Sequence, residues 1–207
     1  MLYYWQADFE SGNAADYFDV WYGGFVAPGR NSNLCYNISD FIFSRILDKY
    51  IASTSELYAQ FWFRCTSITS VGIGHGGIAP IMRFEGAALP LNGGATIGAS
   101  NSGQLAIFTG WFGSFVQLGI TPGQVIYPGA SWHKIDVYLK LDDVNGRFRA
   151  DLNDVTLLDF TGDTIEPGGL GTVGRISLQC FWPDNFVYDT IAVSDSPIRP
   201  PMFISYM

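Results

Sequence analysis

Charge is scarce in this chain. Asp, Glu, Lys and Arg make up 14% of its 207 residues, against roughly 25% in an ordinary soluble domain. So few charges leave part of the surface to be covered by neighbours, which favours an assembled protein over a free monomer. Lysine occurs only at Lys49, Lys134 and Lys140, and the net charge is −8, so a nucleic-acid backbone is excluded as a partner. Cys35, Cys65 and Cys180 are odd in number and widely spaced, which argues against a disulfide framework and for buried thiols made in a reducing cytosol. No apolar run approaches the ~18 residues of a membrane span. The opening MLYYWQADFESG has no basic stretch leading into an apolar one, so no signal peptide is visible and a soluble protein is expected.

Catalytic signatures are equally thin. There is no G-x-S-x-G, no C-x-x-C and no H-x-H, and His75 and His133 stand far apart. A retaining glycosidase needs two carboxylates about 5–5.5 Å apart, as a Glu-x-Asp-x-Glu or Glu-x-Asp-x-x-Glu run on one strand would supply. Glu10, Glu56, Glu85 and Glu166 are the only glutamates, and none sits in that pattern. Acid pairs such as Asp151 and Asp154 flank a turn and read as solvated. Two stretches, 72–77 and 169–174, match G-x-G-x-x-G. A dinucleotide fingerprint needs a helix after the glycines, and the segments after both stretches are strand-like, so both matches are chance. The expectation is a protein that is not an enzyme.

The chain is rich, by contrast, in alternation. In WHKIDVYLKLDD (132–143), Ile135, Val137, Leu139 and Leu141 alternate with Lys134, Asp136, Tyr138, Lys140 and Asp142. That is the period-2 signature of a strand with one apolar and one wet face. Asn145-Gly146 turns the chain, which returns with Phe148, Ala150 and Leu152 inward and Arg147, Arg149 and Asp151 outward. Asn153-Asp154 makes a second turn candidate before VTLLDF. Two consecutive hairpins predict an antiparallel meander buried on one side only.

Strand signals recur along the rest of the chain. Residues 1–12 predict a first strand anchored by Tyr4, Trp5 and Phe9, and 13–40 predict loop with one or two short strands. FIFSRIL (41–47) fits helical spacing and strand alternation, and its β-branched and aromatic content tips it to strand. ELYAQFWFRCTSITSV (56–71) reads as the central strand, apolar on both faces, which implies burial on both or an aromatic-rich outer face. IAPIMRFEG (78–86) predicts a strand with Pro80 at its start or at an edge. GQLAIFTG with FVQLGIT, and RISLQCFW with FVYDTIAVSD, complete the set. With 24 glycines, 10 prolines and no sustained amphipathic helix, the pattern is an all-β antiparallel β-sandwich or jelly roll. One domain is expected over 1–195, with a Pro-rich tail, SPIRPPMFISYM (196–207), that docks on a neighbour.

Phe9-Glu10, ELYAQFWFR, GQLAIF, WHKIDVYLKL, GRFRADLNDVTLLDFTGDT and the closing YDTIAVSD occur in an order that resembles the concanavalin-A-like, laminin-G-like jelly rolls of tailed-bacteriophage structural proteins. The resemblance covers roughly 5–195. It implies the jelly roll, a virion location after synthesis in the host cytoplasm, and other virion proteins as partners in a homo-oligomeric assembly. The family carries a pair of aspartates in the last motif; here Asp189 is succeeded by Thr190, which weakens any calcium role carried over to Asp189. Fold alone does not give function, because this sandwich hosts lectins, glycosidases and scaffolding modules.

The residues offer three candidate sites. Trp111, Phe112 and Phe115 lie at a glycine-rich bend, where exposed rings would stack on a sugar or pack on a neighbouring subunit. Asp142, Asp143 and Asn145 cluster oxygens at a turn as calcium requires; turns use the same residues, and the spacing excludes an EF-hand. Pro200, Pro201, Phe203 and Tyr206 are the partner-binding residues of the tail. No other cofactor is expected. The function expected is a virion structural protein (capsid decoration, tail, collar or baseplate) acting through protein contacts; the alternative is a carbohydrate-binding module attaching the particle to host surface polysaccharide.

Overall fold

The structure is a computed structural model and describes residues 1–19, 24–26, 34–38, 45–68, 77–86, 94–110, 115–165, 169, 171–180 and 185–198. These residues form fourteen strands: β1 (Tyr3–Ala7), β2 (Gly24–Val26), β3 (Cys35–Ile38), β4 (Arg45–Thr54), β5 (Glu56–Ser67), β6 (Ile78–Glu85), β7 (Gly94–Ser100), β8 (Leu105–Thr109), β9 (Val116–Ile120), β10 (His133–Lys140), β11 (Gly146–Leu152), β12 (Val155–Gly162), β13 (Val173–Cys180) and β14 (Asn185–Ser194). A single 3-10 turn among them spans Ala14–Asp16. Among the described residues no helix is long and apolar enough to cross a membrane.

The strands make two antiparallel sheets. The larger runs β12-β11-β10-β5-β14-β3-β2, with β1 also paired to β14; the smaller runs β4-β13-β6-β7-β8-β9. One hydrophobic core lies between them, drawing on residues from Trp5 to Val193. Phe84 of the smaller sheet meets Phe148 of the larger edge to face, with ring centroids 6.4 Å apart. Burying a large apolar side chain contributes roughly 1.5–3 kcal/mol, so the alternating inward residues of each strand supply the force that closes the sandwich.

The meander is as the alternation predicts. Ile135, Val137, Leu139, Phe148, Ala150 and Leu152 are buried, and the residues between them are half-buried. Asn153 and Asp154 both take positive φ, 51° and 67°, the backbone that a tight hairpin needs and that Asn and Asp tolerate. β5 pairs with β10 along its length, with Leu139 opposite Leu57 and Tyr138 opposite Tyr58. From Leu57 to Cys65 it alternates between buried and half-buried positions. Its second apolar set, Tyr58 and Trp62, therefore forms an aromatic outer face rather than a second buried one.

Other expectations are adjusted in detail. The strand expected over 41–47 begins at Arg45, and 41–44 lie outside the described residues. Pro80 falls at a register shift in β6, beyond the reach of β13, so its missing N–H breaks no ladder bond on that side. β6 and β13, the strands after the glycine runs, confirm that neither run opens a helix. Cys65 is fully buried in the core. His133 is 4% exposed, with its ring against Phe63, and burial lowers its pKa despite a contact with the Tyr127 carbonyl.

The smaller sheet hides charge on the face turned away from the core. Arg175 bonds Glu85 at 2.5 Å and Asp48 at 3.3 Å, and the Ser177 hydroxyl bridges the same two carboxylates. All four residues are buried. Burial raises the pKa of Asp48, opposed by the Ser177 hydrogen bond and by Arg175.

Candidate functional site

The outer face of the larger sheet carries an open cleft of about 530 Å³ over the centre of β5, β10 and β11. The register that buries the core places its lining. Tyr58 and Gln60 of β5 lie opposite Tyr138 and Asp136 of β10, which lie opposite Arg149 and Asp151 of β11. Lys134, Arg147 and Asp154 complete the polar wall, and Pro197 and Ile198, just past β14, close one side.

The tyrosines form the apolar element. Tyr58 and Tyr138 stack with centroids 4.8 Å apart and planes tilted by 30°, and the Arg147 guanidinium lies 5.8 Å from the Tyr138 ring centre. The Tyr138 hydroxyl donates to Glu56 Oε1 at 2.9 Å. Burial first, then this carboxylate, pushes the phenol pKa up to about 12.

Around the rings runs a lattice of ion pairs. Arg147 grips Asp159 through Nε and Nη2 at 2.8 and 2.6 Å. Arg149 grips Asp151 at 2.8 and 2.7 Å and also donates to Thr156 Oγ1 at 2.7 Å. Lys134 Nζ lies 2.5 Å from Asp154 and 3.2 Å from Asp136, whose other oxygen accepts from Gln60 at 2.6 Å. Burial alone would lower the Lys134 pKa; the bond to Asp154 and the attraction of Asp136 outweigh it and raise it. The Asp159 pKa is lowered by its Arg147 hydrogen bonds. Bidentate Arg–carboxylate pairs hold their side chains in fixed orientation, so this wall presents donors and acceptors at set positions.

The sequence-predicted candidates lie elsewhere. Trp111 and Phe112 fall outside the described residues, as do Pro200, Pro201, Phe203 and Tyr206. Phe115 packs on the outer face of the smaller sheet against Phe108, 6.3 Å between centroids, with Ile78 nearby, so it is not part of the cleft. Asp142 Oδ1 accepts the N–H groups of Val144 and Asn145 at 2.9 and 2.7 Å. These bonds close the turn and, with Asn145 the larger cause, lower the Asp142 pKa. Asp142 is half-buried, and Asp143 and Asn145 are both exposed. Among the described residues no three His, Cys, Asp or Glu side chains gather as a metal-holding group. Asp189 is buried and accepts from Thr190 Oγ1 at 2.9 Å. Thr190 has φ 49° at a shift in strand register.

No family model and no curated protein matches the sequence. Solved structures do match. Alginate lyase Aly36B superposes with a TM-score of 0.59 over 95% of each chain at 14% identity. A Bacillus subtilis protein of unknown function with a galectin-like fold gives 0.65, covering 96% of this chain and 98% of that one at 11% identity. The fold is a jelly-roll β-sandwich. The carbohydrate-binding module CBM66 from Bacillus subtilis gives 0.52, over 84% of this chain and 92% of that one, at 12% identity. These neighbours correct one expectation. A non-enzyme was expected from the missing carboxylate pattern, yet the same architecture, end to end, serves a polysaccharide lyase. The absent Glu-x-Asp-x-Glu excludes one placement of one mechanism, not catalysis on this scaffold. None of the three neighbours is a virion protein by name.

Proposed function

We propose that this protein is carbohydrate-active and holds a polysaccharide chain across the outer face of its larger sheet. The stacked Tyr58–Tyr138 pair, set in a fixed wall of hydrogen-bonding groups inside an open cleft, carries the reading. A sugar has an apolar C–H face and a polar rim; sites for such ligands combine aromatic surface with a few placed polar groups. The neighbours include a carbohydrate-binding module and a lyase solved with alginate trisaccharide, which supports this choice over protein–protein contact alone. The test is binding of the purified chain to a polysaccharide panel, with calcium and with chelator. Tyr58→Ala and Tyr138→Ala are expected to abolish binding while the fold persists, and Trp111→Ala to leave it intact. Loss on Trp111→Ala alone would move the site to the 109–115 bend, and chelator sensitivity would put calcium into it through Asp142, Asp143 and Asn145.

A second reading adds cleavage of the bound chain. It is favoured by the Tyr138–Glu56 contact, where the phenol donates to the carboxyl group and the Arg147 guanidinium lies over the phenol ring. Such a couple supplies the acid and base that glycosidic hydrolysis requires. New reducing chain ends, lost on Tyr138→Phe, are the expected readout; a bound chain that stays intact on long incubation would remove this reading.

The particle of a tailed phage, reached from the host cytoplasm, is the setting we take from the sequence resemblance. It makes virion proteins and further copies of the chain the partners of the tail, residues 196–207, and particles that still incorporate a chain lacking those residues would count against it.

A further inference from the structure

We infer that the cleft takes a neutral, hydroxyl-rich polysaccharide rather than a polyuronate or sulfated chain; this rests on the proposed function and specifies its ligand. The cations lining the cleft are Lys134, Arg147 and Arg149, and the carboxylates are Asp136, Asp151 and Asp154, three against three. Each cation is already closed on a carboxylate: Arg147 on Asp159 at 2.6 Å, Arg149 on Asp151 at 2.7 Å, and Lys134 on Asp154 and Asp136.

A sugar carboxylate entering this wall finds no net positive charge. A sugar carboxylate on the remaining Arg149 N–H groups would lie beside Asp151 and be repelled by it, and one that displaced Asp151 would exchange one bidentate pair for another and leave Asp151 without its cation. Exposed ion pairs of this kind gain little over their solvated partners, so the exchange cannot supply affinity. At longer range the net charge of −8 opposes a polyanion.

A hydroxyl meets the opposite situation. A carboxylate has about four acceptor positions and a guanidinium about five N–H donors, and a bidentate pair consumes about two of each. The arginine pairs in the wall therefore keep donors and acceptors over, side by side, and a hydroxyl both donates and accepts. The tyrosine stack offers the apolar surface for the sugar's C–H face.

The experiment is calorimetric titration of the full chain with neutral glucans, fructans and galactans, and with alginate, polygalacturonate and a sulfated galactan, each at low and high salt. At least one neutral chain is expected to bind at least about tenfold tighter than any acidic one, with a Kd that moves less than about twofold with salt. Asp151→Asn, which releases charge on Arg149, is expected to improve binding of the acidic chains about tenfold. An acidic chain that binds tightest and weakens steeply with salt overturns the neutral class and leaves the cleft standing. Binding of every chain unaffected by Tyr58→Ala and Tyr138→Ala, or no binding by a protein with an intact melting transition, overturns the cleft itself and this inference with it.

Discussion

Arg149→Ala separates the cleft wall from the scaffold that carries it. The guanidinium makes two bonds to Asp151 and one to Thr156, all between 2.7 and 2.8 Å. The Arg149 and Asp151 side chains are 39% and 19% exposed, so the pair contributes about 0.2–1 kcal/mol to folding. For a chain of this size about 1 kcal/mol moves Tm by roughly 2–4 °C, and the variant is expected to melt within about 4 °C of wild type. Its effect on a bound sugar is larger. A hydrogen bond from a charged donor contributes about 1.5–3 kcal/mol, so Kd is expected to rise by roughly 10- to 150-fold. Differential scanning calorimetry and isothermal titration on the same samples read both quantities. A fall of Tm beyond about 10 °C would make Arg149 a structural residue and refute the exposed-pair reasoning. An unchanged Kd with unchanged Tm would take Arg149 off the sugar.

The Tyr138 phenol is expected to ionise near pH 12 in a spectrophotometric titration, and Glu56→Gln to bring it back toward 10.0. Because the folded value lies above the unfolded one, the stabilisation is whole below pH 10 and is lost as pH rises through about 12; co-titration of all tyrosines at 10 would refute the contact. Phe148→Ala empties a fully buried position facing Phe84, and chemical denaturation is expected to show a loss of about 3–5 kcal/mol. Arg175→Ala leaves Asp48 and Glu85 buried without their shared cation, an expected cost of about 3–5 kcal/mol. Since the Asp48 pKa is already raised by burial, protonation favours the folded state, and that cost is expected to shrink as pH falls toward the ordinary carboxylate range. An equal loss at neutral and acid pH would show that Asp48 stays charged.

The meander was legible because alternation is a local signal: each inward residue of β10 and β11 has its outward neighbour one position away. The same signal named every outward residue of the cleft wall on those strands, but not the ion pairs they make. Lys134, Asp136, Arg149 and Asp151 alternate like any wetted face, and nothing in a run of sequence tells a solvated carboxylate from one gripping an arginine along or across a strand. That distinction depends on which strand lies next door. β10 is joined in sequence to β11 but also pairs with β5, and this non-local contact brings Tyr58 and Gln60 beside Tyr138 and Asp136, although Gln60 and Asp136 are 76 positions apart. One clue was available. Tyr58 and Trp62 stand at outward positions of β5, and an aromatic outer face on a central strand is an unusual use of hydrophobic surface unless something lies on it.

The buried charges of the smaller sheet show the opposite failure. Asp48, Arg83, Glu85 and Arg175 also occupy outward positions by alternation, yet none is more than 6% exposed. Period-2 patterning says which face of a sheet turns from the core; it does not say that this face meets water. The two outer faces of this sandwich therefore read alike in sequence and differ in structure. One is a closed ionic cluster and the other an open cleft whose ion pairs remain within reach of solvent. Openness decides where a ligand can enter, and it favours β5, β10 and β11 over β6 and β13 as the face for a glycan. If the assignment were reversed, charge substitutions at Glu85 or Arg175 would change sugar affinity at constant fold while Arg149→Ala would not, and the paired titration and melting measurements on these variants distinguish the two faces directly.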